Sequence, residues 1–273
     1  MNEREQEILE KSGQWQVPTS RSKEEIWLAL EKQIDESEET VGSTFGIYKW
    51  AAAVALLVLG GIGYFYLSSS MESIETGLAE IKKVELPDGS KAILNAESKI
   101  SFDAVDFLEN RKLSFQGEGY FEVKSGDDFR IDLNGIEVSV LGTSFNIYSR
   151  ESIKEVKCLT GKVAVSNQGQ KLILEKGDMA LSANGTLQNE IIEFDEQSAI
   201  SWQQGEFVFN NVSFARVVKE MEIQYDIEIE MKMADSRYYT GYFDNTNLEK
   251  AAKQVFSPMG YSYEIFDKKI VIK

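Results

Sequence analysis

The chain has 273 residues, of which 42% are hydrophobic and 11% aromatic, enough apolar material for packed cores and too much for a wholly disordered protein. It contains no histidine and a single cysteine, Cys158, which removes Ser–His and Cys–His nucleophile pairs, histidine-based zinc sites and internal disulfides. Cys158 reads as a core thiol, and no metal or cofactor site is expected. The net charge of −16, from 29 basic and 45 acidic residues, argues against nucleic-acid binding, which needs a basic stripe.

Residues 1–49 carry 6 basic and 11 acidic residues and read as helical. A short polar helix is expected over 2–11, and Pro18 interrupts it. Ser22 followed three residues later by Glu25 has the spacing of a capping box, so a second helix is expected to start there. That helix places Ile26, Trp27, Leu30 and Ile34 on one stripe. So short a region cannot bury this stripe and two tryptophans in a core of its own. Two readings follow: a helix lying on a membrane surface, or a docking helix that folds onto a partner protein with Trp15 and Trp27 as anchors. The acidic polar face favours the protein partner over an anionic lipid surface.

Residues 50–71, WAAAVALLVLGGIGYFYLSSSM, carry no charge. Twenty-two helical residues would reach about 33 Å, against about 30 Å for a hydrocarbon core. With Trp50 at one end and Tyr64, Phe65 and Tyr66 near the other, the pattern predicts a single transmembrane helix. Lys49 before it and Glu72 and Glu75 after it lean towards an N-terminus in the cytoplasm and a C-terminus on the far side of the inner membrane. Gly60, Gly61 and Gly63 would weaken such a helix and offer an intramembrane protease a place to unwind it.

From 72 to 200 the period switches to two. Stretches 91–102, 111–124, 129–140, 144–149, 155–165 and 171–183 alternate apolar and polar residues. Asp88-Gly89, Asn134-Gly135, Gln168-Gly169 and Asn184-Gly185 supply turn dipeptides between them, which predicts an all-β sandwich or solenoid. Its acidic residues, Glu118 and Glu122 among them, read as solvated strand faces. Residues 201–273 hold an internal repeat: Phe209, Asn211, Ser213, Phe214, Met221, Ile227 and Ile229 recur at an offset of 34 as Phe243, Asn245, Asn247, Leu248, Val255, Tyr261 and Tyr263. Each unit reads strand, turn, capped helix, strand, giving a βαβ-βαβ α+β domain, with 269–273 as a further, exposed edge strand. The expected fold is therefore multidomain: a helical segment (1–49), a transmembrane helix (50–71), an all-β domain (72–200) and a small α+β domain (201–273).

Residues 80–273 also resemble a known family. Leu86-Pro87-Asp88-Gly89-Ser90 followed by Leu94-Asn95-Ala96, then Gly117-Glu118-Gly119-Tyr120-Phe121-Glu122-Val123, Val140-Leu141-Gly142-Thr143-Ser144-Phe145-Asn146 and Gly161-Lys162-Val163-Ala164-Val165, are similar to the FecR family of transmembrane anti-sigma factors in its Bacteroidetes form. Trp202, Gly205, Phe209 and Tyr239-Thr240-Gly241-Tyr242-Phe243 resemble the module that follows in that family, which is similar to the short N-terminal domains of secretins and TonB-dependent receptors. Glu118-Gly119-Tyr120 departs from the family's usual Glu-Ala-Tyr.

The resemblance implies a regulator rather than an enzyme. Cytoplasmic helices, with Trp15, Trp27, Leu30 and Ile34 as contact residues, would hold an extracytoplasmic-function sigma factor. The periplasmic domains would receive a signal from the signalling domain of an outer-membrane TonB-dependent transporter, and an intramembrane protease could cut the span. Relatives that cleave themselves at a matching Gly-Thr imply the same for the bond between Gly142 and Thr143, where the Thr143 hydroxyl would attack the Gly142 carbonyl. The residues alone also allow a β-bulge at Gly142 and a turn-capping Thr143. A rival of another class is a bitopic periplasmic protein that binds a glycan or envelope component.

Overall fold

The computed structural model describes residues 22–36, 44–67, 71–167, 169–232 and 235–273, which fall in two compact units, Met1–Ser68 and Ser69–Lys273. In the first unit the helix Lys23–Glu36 opens with the reciprocal bonds of a capping box. The Glu25 backbone N–H donates to Ser22 Oγ at 3.3 Å, and the Ser22 N–H donates to Glu25 Oε2 at 3.2 Å. Residues 2–11 and Trp15 lie outside the described residues.

The expected transmembrane helix requires a correction. Among the described residues no helix is long and apolar enough to cross a membrane. The second helix runs Thr44–Leu67, so it starts within the polar stretch before Trp50 and stops short of Met71, which is already a strand residue. The charge-free part that stays helical, residues 50–67, is about 27 Å long, less than the roughly 30 Å of a hydrocarbon core. Its side chains Trp50, Val54 and Leu56–Leu59 are exposed.

The second unit begins with a 14-stranded sheet. Its strands are β1 (Met71–Glu75), β2 (Lys82–Glu85), β3 (Lys91–Leu94), β4 (Lys99–Asp103), β5 (Lys112–Glu122), β6 (Phe129–Asp132), β7 (Glu137–Val140), β8 (Ser144–Arg150), β9 (Ile153–Cys158), β10 (Lys162–Ser166), β11 (Lys171–Glu175), β12 (Asp178–Ala183), β13 (Thr186–Leu187) and β14 (Ile192–Glu193). The main path is β11-β10-β7-β6-β5-β8-β9-β12-β13. Four of the stretches that alternate as one strand in sequence are split in two by a turn. In 91–102 the break is at Asn95–Ser98, where Glu97 takes φ +50°; in 129–140 it is at Asn134-Gly135, with φ +56° and +93°.

The 11-residue β5 joins the two halves of this sheet. Its first part pairs with β4 and, in parallel, with β6; its second part pairs with β3 and β8. The change of partners falls at Gly117, whose φ is +108°. A Cβ there would lie 2.5 Å from Ser98 Cα, so only glycine lets the strand turn so close to its neighbour. Inward residues of the halves meet in one core, with Phe121 and Phe145 stacked at 5.5 Å and Phe107 edge-on to Phe129 at 6.0 Å. Cys158 is in this core, and burial pushes its thiol up to about 11, as expected of a core thiol.

The repeat becomes β15 (Glu206–Ser213), helix Phe214–Tyr225, β16 (Glu228–Glu230), then β17 (Tyr238–Asp244), helix Leu248–Phe256, β18 (Tyr263–Phe266), and β19 (Lys269–Ile272) closes the chain. The equivalent strands β15 and β17 pair with each other, antiparallel, in a ribbon of their own. The other equivalents, β16 and β18, lie on either side of β19, so 269–273 forms the centre of a three-stranded sheet and not its edge. The reason is the hydrophobic pattern: Ile270 and Ile272 are fully apolar on their inward side and are buried between both repeats.

Candidate functional site

The sequence singled out two places, and each is built differently. On the helix Lys23–Glu36, Trp27 is 62% exposed and Leu30 44%, with Ile26 and Leu28 exposed beside them. Ile34 lies on the same helix. An exposed tryptophan flanked by aliphatic side chains on a capped helix is an apolar surface with no covering element among the described residues.

Gly142 and Thr143 lie between β7 and β8, far along the chain from that helix and in the other unit. Gly142 has φ +148°, and a Cβ on it would come 2.5 Å from Ser125 Oγ and 2.7 Å from Ser125 Cα. Thr143 is buried; its carbonyl accepts from the Val123 N–H at 2.9 Å, but its Oγ1 has no hydrogen-bond partner. Gly161 closes the other side, where a Cβ would meet Thr143 Cγ2 at 2.7 Å and the Gly142 carbonyl oxygen at 3.4 Å. The pair is thus a glycine in a backbone conformation closed to other residues, followed by an idle hydroxyl.

A third place escaped the sequence reading. The helix Phe214–Tyr225 turns Phe214, Val217 and Met221 into the C-terminal core, yet Glu220 and Gln224 are buried with them. Gln224 Nε2 donates to Asn95 Oδ1 at 3.0 Å and to Glu220 Oε1 at 2.8 Å. The carboxylate of Glu118 accepts from Asn95 Nδ2 (2.9 Å) and Asn146 Nδ2 (3.2 Å), while Asn146 Oδ1 accepts from the buried Trp202 Nε1 at 3.1 Å. Arg150 reaches Glu220 at 3.8 Å. Arg216, in the first turn of the helix, holds Glu155 of β9 with both Nη atoms, and its guanidinium lies 3.8 Å from the centre of the Tyr148 ring. These residues form a largely polar seam between the sheet and the C-terminal module, and Ile93 and Tyr120 add apolar contact to it. Glu118, read from the sequence as a solvated strand residue, is part of the seam. The signal was available: Glu220 and Gln224 are spaced i, i+4 among the inward positions of an amphipathic helix.

Electrostatics differ along the seam. Burial, joined by the neighbouring Glu220 carboxylate, raises the Glu118 carboxyl above the ordinary range. Burial acts the same way on Glu155, but the Arg216 and Lys157 charges and their hydrogen bonds outweigh it and hold that carboxyl at about 2.

Residues 72–164 match the FecR protein family and residues 206–272 match the FecR C-terminal domain. The chain belongs to the FecR family. Two crystal structures of a Parabacteroides distasonis protein assigned as an anti-sigma factor, at 1.65 and 2.50 Å resolution, superpose on this FecR-family chain with a TM-score of 0.68 and 25% sequence identity. The match covers 74% of this chain and 98% of theirs. No curated protein compared with the chain matches it. Family and structural match together place the chain among regulators of the anti-sigma class rather than among known enzymes.

Proposed function

We propose that this FecR-family regulator binds an extracytoplasmic-function sigma factor through the helix Lys23–Glu36, and that its Ser69–Lys273 unit receives the signal of an outer-membrane TonB-dependent transporter through that transporter's signalling domain. The observation that carries the first half is the exposure of Trp27 with Ile26, Leu28 and Leu30 on a helix whose N-terminus is closed by its own capping box. Truncating a central tryptophan in such an interface costs about 2–4 kcal/mol, or roughly 30- to 1,000-fold in affinity. Co-purification of the sigma factor with parent and Trp27→Ala chains tests it; equal recovery refutes it.

A second reading concerns the bond between Gly142 and Thr143, and the idle Thr143 Oγ1 beside Gly142, which has no side chain to block approach to its carbonyl, favours it. The hydroxyl oxygen would add to the Gly142 carbonyl and the amide nitrogen would leave with a proton, giving an ester that water opens to a carboxylate and the free Thr143 hydroxyl. Mass spectrometry of the purified chain checks this. A fragment starting at Thr143, absent in Thr143→Ala and kept in Thr143→Ser, supports it, and a single intact species after long incubation rejects it.

A further inference from the structure

Beside the seam runs a groove of ≈ 860 Å³, within the roughly 300–1,000 Å³ of small-molecule sites. Its floor is the outer face of the sheet, where Glu118, Tyr148 and Glu155 stand in one row across β5, β8 and β9, each opposite the next in register. Arg216 and Glu220 line it from the helix Phe214–Tyr225. The walls are the segment from Ile192 to Trp202 and the ribbon of β15 and β17, on which Phe194, Val208 and Tyr242 offer apolar surface. Six carboxylates line the groove, those of Glu118, Glu155, Glu193, Asp195, Glu206 and Glu220, against two cations, Lys157 and Arg216.

Both cations are held by one carboxylate, Glu155. Glu118 is in no ion pair among the described residues, and its two oxygens take one amide N–H each, which leaves acceptor capacity on both. Glu220 Oε1 accepts from Gln224, but among the described residues its Oε2 accepts no hydrogen bond. The Arg150 Nε that faces it at 3.8 Å makes none either. Burial raises the carboxyls of Glu118 and Glu155 alike; the two cations reverse this on Glu155, whereas the Glu220 charge adds to it on Glu118. Tyr148 is a separate sign of a missing partner. It is only 6% exposed and lines the groove, yet its hydroxyl makes no hydrogen bond among the described residues. Burial raises that hydroxyl far above its ordinary value, so it stays neutral near Glu118 and Glu220 and can accept a hydrogen bond.

The floor therefore lacks a cation with several N–H donors, which a primary ammonium supplies and a guanidinium is too broad and planar to match. A metal ion would leave the apolar walls unused. Glu193, Asp195 and Glu206 are exposed at the margin and in no ion pair among the described residues, so a second positive charge is favoured there. We propose that the groove binds a small aliphatic di- or polyamine, with one ammonium on Glu118, Glu220 and the Tyr148 hydroxyl and a second among the carboxylates of the margin. The alkyl chain between them lies along Phe194 and Tyr242. Since Glu118 belongs to the sheet and Glu220 to the C-terminal module, the bound amine fastens one to the other. The assignment does not rest on the sigma-factor reading: failure of the Trp27→Ala test leaves the groove as it stands.

The test is calorimetry on the full chain with cadaverine, pentylamine, a lysine blocked at both ends and magnesium chloride. Cadaverine is expected to bind at least about tenfold more tightly than pentylamine, which lacks the second ammonium; tenfold is the scale of one hydrogen bond to a charged group. Glu118→Gln should lose at least about tenfold for both amines. Asp195→Asn/Glu206→Gln, at two exposed positions where folding is not at stake, should lose as much for cadaverine and nothing for pentylamine. Glu72→Gln/Glu109→Gln removes two exposed carboxylates elsewhere and should bind as the parent does. Equal affinity for cadaverine and pentylamine, an equal loss in that control, or displacement of cadaverine by an equal concentration of magnesium is attraction to net charge alone and overturns the proposal. A blocked lysine that binds as tightly as cadaverine gives the groove to a protein side chain and overturns it as well.

Discussion

Arg216→Leu is the substitution that most directly tests how the C-terminal module is held. In the parent, Arg216 gives both Nη atoms to Glu155 and stacks on Tyr148, and all three side chains are nearly or wholly out of solvent. Burial alone would raise the Glu155 carboxyl; the Arg216 and Lys157 charges bring it to about 2 against an ordinary 4.5. That difference corresponds to about 3 kcal/mol of stability at neutral pH, of the order found when one partner of a buried pair is removed. Because the folded-state value is depressed, the contribution is complete above about 4.5 and is lost as pH falls towards about 2. Without Arg216, only Lys157 at 3.5 Å remains to compensate the charge. Urea unfolding at pH 7, followed by tryptophan fluorescence, should show a loss of about 3 kcal/mol in Arg216→Leu. The variant should also lose less than the parent on acidification over that window. Adding Glu155→Leu should recover more than half of the loss, since the stranded charge goes with it. An Arg216→Leu chain within about 1 kcal/mol of the parent, with an unchanged acid limb, would refute the reasoning.

Three further outcomes follow from the same structure. Gly142→Ala should destabilise by about 2–4 kcal/mol, read as a fall in thermal midpoint, because φ +148° and the Ser125 backbone both oppose a Cβ. Trp202→Phe removes the donor to Asn146 and leaves a buried acceptor unpaired, for an expected loss of about 1–3 kcal/mol in urea unfolding. Asn247→Ala removes the cap on the Lys250 N–H and should lower stability by about 1 kcal/mol in the same measurement, while Asn247→Ser should restore most of it.

Local chemistry was easily read from the chain. Asp88-Gly89, Asn134-Gly135 and Asn184-Gly185 all form turns with their glycines at positive φ, because each dipeptide meets a backbone need that arises within two residues. The Ser22–Glu25 box is legible for the same reason. What lay beyond local pattern was which strand pairs with which. Repeat symmetry suggests two βαβ units, but β15 and β17 pair with each other, and Phe207 and Phe209 stack on Phe243 across that ribbon with rings 5.0 and 5.6 Å apart. The length of the apolar helix was misjudged because absence of charge through Met71 says nothing about pairing, and Met71 pairs with Asp103. The seam was illegible because Asn95 and Gln224, 129 residues apart, carry no mark of each other. Only the polar positions on the inward face of the helix hint that something polar waits opposite.

The polar character of that seam matters while the protein is being made. When synthesis has completed β14, the sheet with its core of phenylalanines can close, yet some 80 residues, among them those that will cover its outer face, are still to come. At a synthesis rate of roughly 5–20 residues per second, that face stays uncovered for about 4–16 s. A bare apolar patch left open for so long would invite aggregation. Asn95, Glu118, Asn146, Arg150 and Glu155 can instead stay hydrated until Trp202, Arg216 and Gln224 emerge to replace the water. The nascent half of the molecule is thus provided with a surface fit for waiting, and the ribosome's pace becomes part of the design of the interface.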